Sequence, residues 1–237
     1  MSLRVAILAG GMATRLHPIT ERMPKSLVEV AGRPFAEHQL DLLRKGGIDD
    51  VVFLVGHLGE MVRDVIGDGS RYGVRVRYVF DGPVPLGTGG ALRRALPELG
   101  SAFFVLYGDS YLDCDFRAIE RAFFLSARDG LMTVYRNEDR FDRCNVQYAD
   151  GRIRHYSKQE RARDTRHIDY GLSVFRATAF DGWSDGERFD LAAVYQRLLA
   201  SDNLAGYEVM TRFFEIGSMA GLEETRAYLL AKGAAVR

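Results

Sequence analysis

The stretch from residue 8 to residue 25, LAGGMATRLHPITERMPK, decides how this chain is interpreted. An apolar run, LRVAILA, leads into it and is typical of a buried parallel strand. Gly10 and Gly11 then leave backbone N–H groups unobstructed, so that phosphate oxygens could approach closely. Arg15 and Lys25 would supply positive charge. The stretch therefore predicts a loop that holds a nucleoside triphosphate, although a glycine pair after a strand is by itself more often only a turn.

The composition narrows the class of protein. The chain of 237 residues is long enough for one large α/β domain with a substantial core. Its 32 basic and 32 acidic residues balance, so no broad positive field attracts nucleic acid or an anionic membrane. Cys114 and Cys144 lack metal-ligand spacing, and no apolar run approaches the roughly 18 residues of a membrane span. We therefore expect a cytoplasmic enzyme with reduced cysteines, no signal peptide and no partner among membranes or nucleic acids.

Strands and helices alternate through the first half of the chain. Further apolar strands are predicted at residues 51–55, 74–80 and 102–107, and helical patterns follow Pro34 and the first two of these strands. Regular βα alternation implies a parallel sheet, with ligands at the carboxyl ends of its strands.

A second glycine segment, DGPVPLGTGGA at residues 81–91, runs into a predicted helix. Its prolines stiffen the entry, and Gly87, Gly89 and Gly90 would leave main-chain groups exposed close to the first loop. A flexible connector is the alternative, but it would need neither the prolines nor glycines at a helix start. The segment therefore favours a second contact with the nucleotide.

An aspartate ends the strand at residues 102–107, which runs directly into Gly108-Asp109-Ser110. Asp109 would lie at the ligand edge of the sheet, and a carboxylate is the ligand that Mg²⁺ prefers beside phosphates. Asp109 could instead cap the next helix, but that helix begins only near Asp115, which is its own candidate cap.

The pattern changes beyond residue 130. Strands at residues 131–136 and 144–157, the latter with an Asp150-Gly151 hairpin turn, predict an antiparallel subregion where a second substrate would be recognised. A strand at 167–175 follows, then helices near 190–200 and 218–232 with a short strand carrying Glu215 between them.

Taken together, the motifs resemble the sugar-1-phosphate nucleotidyltransferases, also called nucleotide-sugar pyrophosphorylases. The matching elements cover nearly the whole chain in the family's order: LAGGMATRLHP with MPKSLVEVAGRPF, PLGTGGA, YGDS, the SK of HYSKQ, YGLSVF and FFEIGS. The resemblance implies an α/β fold with a Rossmann-like mixed, mostly parallel sheet flanked by helices and a small antiparallel sugar-binding subregion. It implies one domain over residues 1–237, with a nucleotide-binding half over about 1–112 and a sugar-phosphate-binding half over about 113–237.

The resemblance also assigns roles to residues. Arg15, Lys25 and Asp109 would be catalytic, and Mg²⁺ would lie on Asp109 and Glu215. Many relatives have aspartate where this chain has Glu215. Because glutamate is one methylene longer, the resemblance implies direct metal contact less strongly for Glu215 than for Asp109. Asn145, Lys158 and Gly171 would bind the sugar phosphate. The nucleotide would be bound by Leu8, Ala9, Gly10, Gly11, Met12, Ala13, Thr14, Arg15, Lys25, Gly87, Thr88 and Gly108.

The reaction implied is transfer of a nucleotidyl group from an NTP to a sugar 1-phosphate, giving NDP-sugar and pyrophosphate, for cell-envelope glycan synthesis. Within the family, the sequence GTGGA at residues 87–91 favours guanylyl transfer to a heptose or mannose-like 1-phosphate. Uridylyl transfer to an amino-sugar 1-phosphate such as N-acetylmuramate 1-phosphate, and a non-catalytic nucleotide-sugar sensor, are the alternatives. The spacing excludes a Rossmann dehydrogenase and a P-loop kinase. A monomer and a homodimer both remain open.

Overall fold

A computed structural model describes residues 2–11, 16, 19–160 and 162–234. These residues contain thirteen strands and six α-helices. The strands are β1 (Arg4–Leu8), β2 (Glu29–Val30), β3 (Arg33–Pro34), β4 (Asp50–Val55), β5 (Arg75–Phe80), β6 (Ala102–Tyr107), β7 (Ser110–Tyr111), β8 (Gly130–Arg136), β9 (Val146–Ala149), β10 (Arg152–Tyr156), β11 (His167–Arg176), β12 (Leu204–Glu208) and β13 (Phe214–Glu215). The helices are α1 (Phe35–Lys45), α2 (Gly59–Ile66), α3 (Gly87–Leu99), α4 (Phe116–Ser126), α5 (Leu191–Ala200) and α6 (Met219–Ala234).

Four parallel strands form the first half of a nine-stranded sheet, in the order β5-β4-β1-β6. In β1, Val5 faces Val51 of β4 on one side and Phe104 of β6 on the other. Because these strands run the same way, the chain leaves all four at one edge of the sheet. The two glycine segments and Asp109 follow three of these strands, as the sequence predicted.

The second half of the sheet is mixed. β11 runs antiparallel to β6, β8 and β9, while β12 pairs with β8 in parallel. The hairpin of β9 and β10 turns at Asp150 and Gly151, whose φ angles of 53° and 72° suit a tight two-residue turn. The predicted antiparallel subregion and its turn are confirmed.

Helices cover both faces of the sheet, because successive residues of each buried strand point to opposite sides. In β1, Val5 and Ile7 pack into the core beneath α1, α2, α4 and α6. Ala6 belongs to the opposite core, beneath α3 and α5. The predicted fold class, a mixed and mostly parallel sheet flanked by helices, is confirmed. Of the helices in the described residues, none has both the length and the apolar character needed to cross a membrane.

Three short pairings were not predicted from the sequence. β2 and β3 form a hairpin before α1, and β12 adds a strand beyond β8. The third pairing joins β7 to β13, with Ser110 opposite Glu215. This last pairing matters most for the site, because it brings Glu215 to the edge of the sheet that carries Asp109.

A carboxylate anchors the opposite edge of the parallel strands. Asp50 is almost fully buried and receives hydrogen bonds from Arg4 at 3.0 Å, Arg75 at 2.9 Å and Arg77 at 2.7 Å. Burial alone would raise the pKa of Asp50, but the bonds from Arg77 and Arg4 outweigh it and lower that pKa. The ionised form therefore stabilises the fold by tying β1, β4 and β5 together.

We expect Asp50→Asn to lower the free energy of unfolding by about 1–2 kcal/mol at pH 7, a value kept small because the arginines are partly exposed. The pKa is lower in the folded protein, so this stabilisation is complete above the ordinary aspartate pKa of 3.8 and is lost as the pH falls through the lowered value. Urea unfolding at pH 7 and pH 3 measures the difference. Asp64→Asn, at an exposed position of α2, is the control. A loss that persists undiminished at pH 3 would contradict this account.

Candidate active site

A pocket of about 340 Å³ lies at the carboxyl ends of β1, β4, β5 and β6. Met12, Ala13, Thr14 and Arg15 of the predicted set lie outside the described residues. The remaining residues that were predicted to bind the nucleotide or to act in catalysis all line this pocket. They are Leu8, Ala9, Gly10, Gly11, Lys25, Gly87, Thr88, Gly108 and Asp109.

The strand order gives the pocket its length. Asp109 follows β6 and Asp81 follows β5, and β1 and β4 lie between these strands. Neighbouring strands are about 4.8 Å apart, so the two ends are separated by roughly 14 Å. One end carries Lys25 and Asp109, while the other combines the Asp81 carboxylate with apolar side chains such as Leu54. A charged group linked to a planar base matches this division.

Gly108 and Gly56 allow neighbouring backbone segments at the bottom of the pocket to pack in direct contact. The Gly108 N–H donates to the Leu8 carbonyl at 3.0 Å, and a Cβ on Gly108 would lie only 2.6 Å from that oxygen. A Cβ on Gly56 would likewise lie 2.8 Å from the Gly10 carbonyl. At Gly11, by contrast, no described atom lies within 4 Å of an added Cβ. The described residues therefore leave room for a ligand beside Gly11.

Lys25 and Asp109 meet inside the pocket, although 84 residues separate them in the chain. The Lys25 ammonium donates to Asp109 Oδ2 at 2.8 Å. Both side chains are mostly buried, with exposed fractions of 18% and 26%. Pro24 precedes a short 3-10 turn, Lys25–Leu27, that directs the lysine inward. The structure thus brings the predicted phosphate cation and the predicted metal ligand together.

Glu215 reaches the same region through the backbone of β13. It lies opposite Ser110, and the N–H of Ile216 donates to the Asp109 carbonyl at 2.9 Å. Its carboxylate accepts a hydrogen bond from the Gly217 N–H at 2.9 Å. No group of three or more metal-binding side chains occurs among the described residues. A carboxylate completed by phosphate oxygens suits Mg²⁺. Asp109 lines the pocket and fits this role, whereas Glu215, on the strand paired with β7, is not among the residues that line it.

The second glycine segment differs from the prediction in one respect. The N–H groups of Gly89 and Gly90 are not exposed, because both donate to the Phe189 carbonyl, at 3.0 and 3.3 Å. A Cβ on Gly89 would lie 2.3 Å from the Phe189 ring, and one on Gly90 would lie 2.3 Å from the Glu187 carbonyl. These two glycines accommodate a neighbouring segment of protein. Only Gly87 and Thr88 of this segment's predicted residues face the pocket.

The predicted sugar-phosphate residues lie beside this pocket. Asn145 and Lys158 line a smaller polar pocket of about 200 Å³. The Asn145 side chain accepts from the Asp169 N–H at 2.9 Å, which fixes the start of β11. Gly171, with a φ of 92°, sits against Ser110, whose hydroxyl oxygen would be 3.2 Å from an added Cβ. The antiparallel course of β11 therefore brings this group to the edge that holds Asp109.

Asp169 is a carboxylate that sequence reasoning missed. Burial raises the pKa of its carboxyl to about 6, against the opposing effects of the Gly171 N–H and the Lys158 charge. Tyr107, Tyr156 and Tyr195 surround it closely enough to feel its charge. Its position in the sequence, two residues before Gly171, could have indicated it, but only Gly171 of this stretch was assigned a role.

Comparison with known proteins settles the family. Residues 4–143 match the family described as Nucleotidyl transferase. This chain belongs to the nucleotidyl transferase family. The resemblance to sugar-1-phosphate nucleotidyltransferases and the expectation of an enzyme of that class are thereby confirmed.

Individual relatives of this nucleotidyltransferase differ in substrate. It is 28% identical over 232 residues to N-acetylmuramate alpha-1-phosphate uridylyltransferase of Neisseria meningitidis serogroup B, covering 95% of this chain and 97% of that protein. It is 33% identical over 113 residues to D-glycero-alpha-D-manno-heptose 1-phosphate guanylyltransferase of Campylobacter jejuni, covering 48% of this chain but only half of that protein. A putative glucose-1-phosphate thymidylyltransferase from Bacillus anthracis has the same fold, with a TM-score of 0.84 at 20% identity over 96% of this chain and 95% of that one.

The pocket of this nucleotidyltransferase also contains residues to which the sequence analysis assigned no role. Asp81, Ser26 and Arg188 all line it. Asp81 could have been found, because it follows a predicted strand exactly as Asp109 does. Arg188 lies on an irregular segment just before α5, and no local pattern connects that segment with the nucleotide loops.

Substitution by alanine should have different effects at Gly108, where the backbone is closely packed, and at Gly11, which faces the pocket. We expect Gly108→Ala to destabilise the fold by about 1–3 kcal/mol, because the backbone oxygen of Leu8 cannot move away from the new Cβ. Gly11→Ala should leave stability unchanged and weaken nucleotide binding, since its methyl group would occupy open pocket space. Thermal unfolding with and without nucleotide separates the two effects. Equal melting temperatures for wild type and Gly108→Ala would contradict the close-approach argument.

Proposed function

We propose that the protein transfers a nucleotidyl group from an NTP to a sugar 1-phosphate, releasing pyrophosphate. The observation that carries this proposal is the Lys25–Asp109 pair at one end of a pocket whose other end combines apolar side chains with the Asp81 carboxylate. An anionic chain and a base are the two parts of an NTP, and they match these two ends. In the family-level resemblance this is also where the triphosphate would lie.

The chemistry mainly requires charge to be neutralised. Both substrates are polyanions, and a phosphate monoester is already ionised at neutral pH, so its oxygen can attack the α-phosphorus without a base. Lys25, together with Arg15 of the first loop, would steady the triphosphate and the leaving pyrophosphate. Lys158 would orient the incoming sugar phosphate. Mg²⁺ held by Asp109 and Glu215 would neutralise charge on the phosphate oxygens.

Guanine suits the base end better than uracil. Asp81 lines the pocket beside Pro85 and Gly87, and is 7% exposed. Its Oδ2 accepts a weak hydrogen bond from the Leu86 N–H at 3.3 Å, which leaves acceptor capacity on the carboxylate. Guanine offers two adjacent donors, N1–H and the 2-amino group, to such a carboxylate. Uracil offers one donor between two carbonyl oxygens, which a carboxylate would repel. Guanylyl transfer to a heptose or mannose-like 1-phosphate is therefore the preferred activity.

Uridylyl transfer is the second candidate. It is favoured by the Neisseria meningitidis relative, which matches this chain over nearly the full length of both proteins. A role in cell-envelope glycan synthesis and a cytoplasmic site of action belong to either candidate as further proposals.

A substrate grid distinguishes the candidates. GTP, UTP, CTP, ATP and dTTP are each paired with mannose, heptose, glucose, N-acetylglucosamine and N-acetylmuramate 1-phosphates, and pyrophosphate release is measured. We expect GTP to give the highest kcat/KM, and Asp81→Asn to raise the KM for GTP about tenfold or more by removing a charge-assisted hydrogen bond. Preference for UTP with an unchanged KM in Asp81→Asn would overturn the guanine assignment.

The charged pair is tested separately. We expect Lys25→Ala and Asp109→Ala to remain folded and to lose at least ~100-fold in turnover, the scale of removing one preorganised group that stabilises transition-state charge. Lys45→Ala is the matched control, because that lysine ends α1 outside the pocket. Near-normal turnover in either pocket variant would refute the proposed roles.

A further inference from the structure

Residues 187–191, which lead into the first turn of α5, join the two candidate substrate regions. We call them the bridging segment. Its Phe189 carbonyl accepts from the N–H groups of Gly89 and Gly90 at the start of α3, and the Phe189 N–H donates to the Leu86 carbonyl at 3.0 Å. The bridging segment is therefore fixed to the nucleotide loop on both sides of Phe189, although about 100 residues of chain separate them.

Asp190 makes the next connection. Its carboxylate caps α5 by accepting from the Ala192 N–H at 2.8 Å, as an aspartate commonly does. It also accepts from the Lys158 ammonium at 2.8 Å, and the nearby Thr88 side chain helps to lower its pKa. Thr88 in turn accepts from the Leu191 N–H at 2.8 Å. Asp190 thus pairs with the lysine predicted for the sugar side, and the next residue, Leu191, binds Thr88 of the nucleotide pocket.

A helix cap does not need these extra partners. Asp115 caps α4 by accepting from the Ala118 N–H at 2.9 Å, and no ion pair of its carboxylate is seen among the described residues. At Asp190, burial raises the carboxyl pKa, but Lys158, the Ala192 N–H and Thr88 outweigh it and leave the pKa below its usual range. The carboxylate is accordingly ionised and can hold a lysine at neutral pH.

We propose that Asp190 is a positioning residue that couples the two substrate sites, holding Lys158 in a place that depends on Thr88 and hence on the nucleotide. The inference rests on the proposed function, since it takes Lys158 as the sugar-phosphate cation. A nucleotide that fills the pocket contacts Thr88, and the displacement passes through the Asp190 carboxylate to the Lys158 ammonium. The nucleotide would in this way prepare the sugar site before the second polyanion arrives.

The lysine content makes the coupling directly measurable. The chain has only four lysines, Lys25, Lys45, Lys158 and Lys232, so ¹³C-lysine-labelled protein gives four ε-methylene NMR signals that single Lys→Arg variants assign. Lys25 reports nucleotide binding, and Lys158 reports the proposed coupling. Lys45 and Lys232 lie outside the nucleotide pocket and are internal controls.

Two comparisons test the proposal. In nucleotide-free protein, Asp190→Asn should move the Lys158 signal and leave the other three unmoved, because asparagine keeps the helix cap and removes the charge. In wild type, saturating GTP or UTP should move both the Lys25 and the Lys158 signals. In Thr88→Val, nucleotide saturation verified at Lys25 should shift Lys158 at least threefold less than in wild type. Asp115→Asn is the matched cap control and should leave the Lys158 signal and its response to nucleotide unchanged.

The outcomes separate this inference from the proposed function. If neither nucleotide moves Lys25, the proposed function fails and the coupling fails with it. If Lys25 responds but Lys158 is insensitive to Asp190→Asn, or shifts equally in Thr88→Val, Lys158 senses only the distant charge of the nucleotide and the coupling is wrong.

Steady-state kinetics provide a second test, because loss of a helix cap alone would not change the KM for one substrate selectively. Asp190→Asn should raise the KM for the sugar 1-phosphate selectively and should have no further effect in the Lys158→Met background.

Discussion

The close approach of two backbone segments at the carboxyl edge of the sheet is the constraint on which the rest of this structure depends. Gly108 lies so near the Leu8 carbonyl that no side chain fits between them. This contact sets the start of the first loop directly beside the turn that carries Asp109. A side chain between the two segments would move the start of the first loop away from the turn that carries Asp109, which Lys25 contacts at 2.8 Å. The geometry of the charged pair is thus a consequence of two missing Cβ atoms, here and at Gly56.

The two lysines of the candidate substrate regions have a common arrangement. A chain with a strong preference for arginine has lysines at positions 25 and 158, and both form ion pairs with aspartates. A lysine ammonium is a compact charge on a flexible stem, so it can leave one anionic partner for another more easily than a bidentate arginine can. Asp109 therefore holds Lys25 without the cost of leaving a mostly buried charge unpaired, whereas the Lys158–Asp190 pair is exposed and its desolvation costs little.

Much of the fold was predictable because its signals are local. Buried strands such as β6, the turn at Asp150-Gly151 and the cap at Asp115 each depend on a few adjacent residues, and each was predicted within one or two positions. β12 was missed because its LAGYE sequence carries a glycine in the middle. Gly206 is there for a tertiary reason: a Cβ would lie 2.6 Å from the Tyr148 ring. The partners of Gly89 and Asp190 were missed for the same reason, since about 100 and 32 residues of chain separate them from Phe189 and Lys158.

The direction of β11 explains why the sheet is mixed. If β11 were parallel to β6, its first residues would lie at the far edge, beside the arginine cluster on Asp50. Running antiparallel, it pairs Leu172 with Leu106 and brings Asp169 and Gly171 to the edge where the nucleotide pocket opens. The pairing of β7 with β13 does the same for Glu215. The parallel half thus carries the pocket of Lys25 and Asp109, and strand reversal in the other half brings Asp169, Gly171 and Glu215 to the same edge.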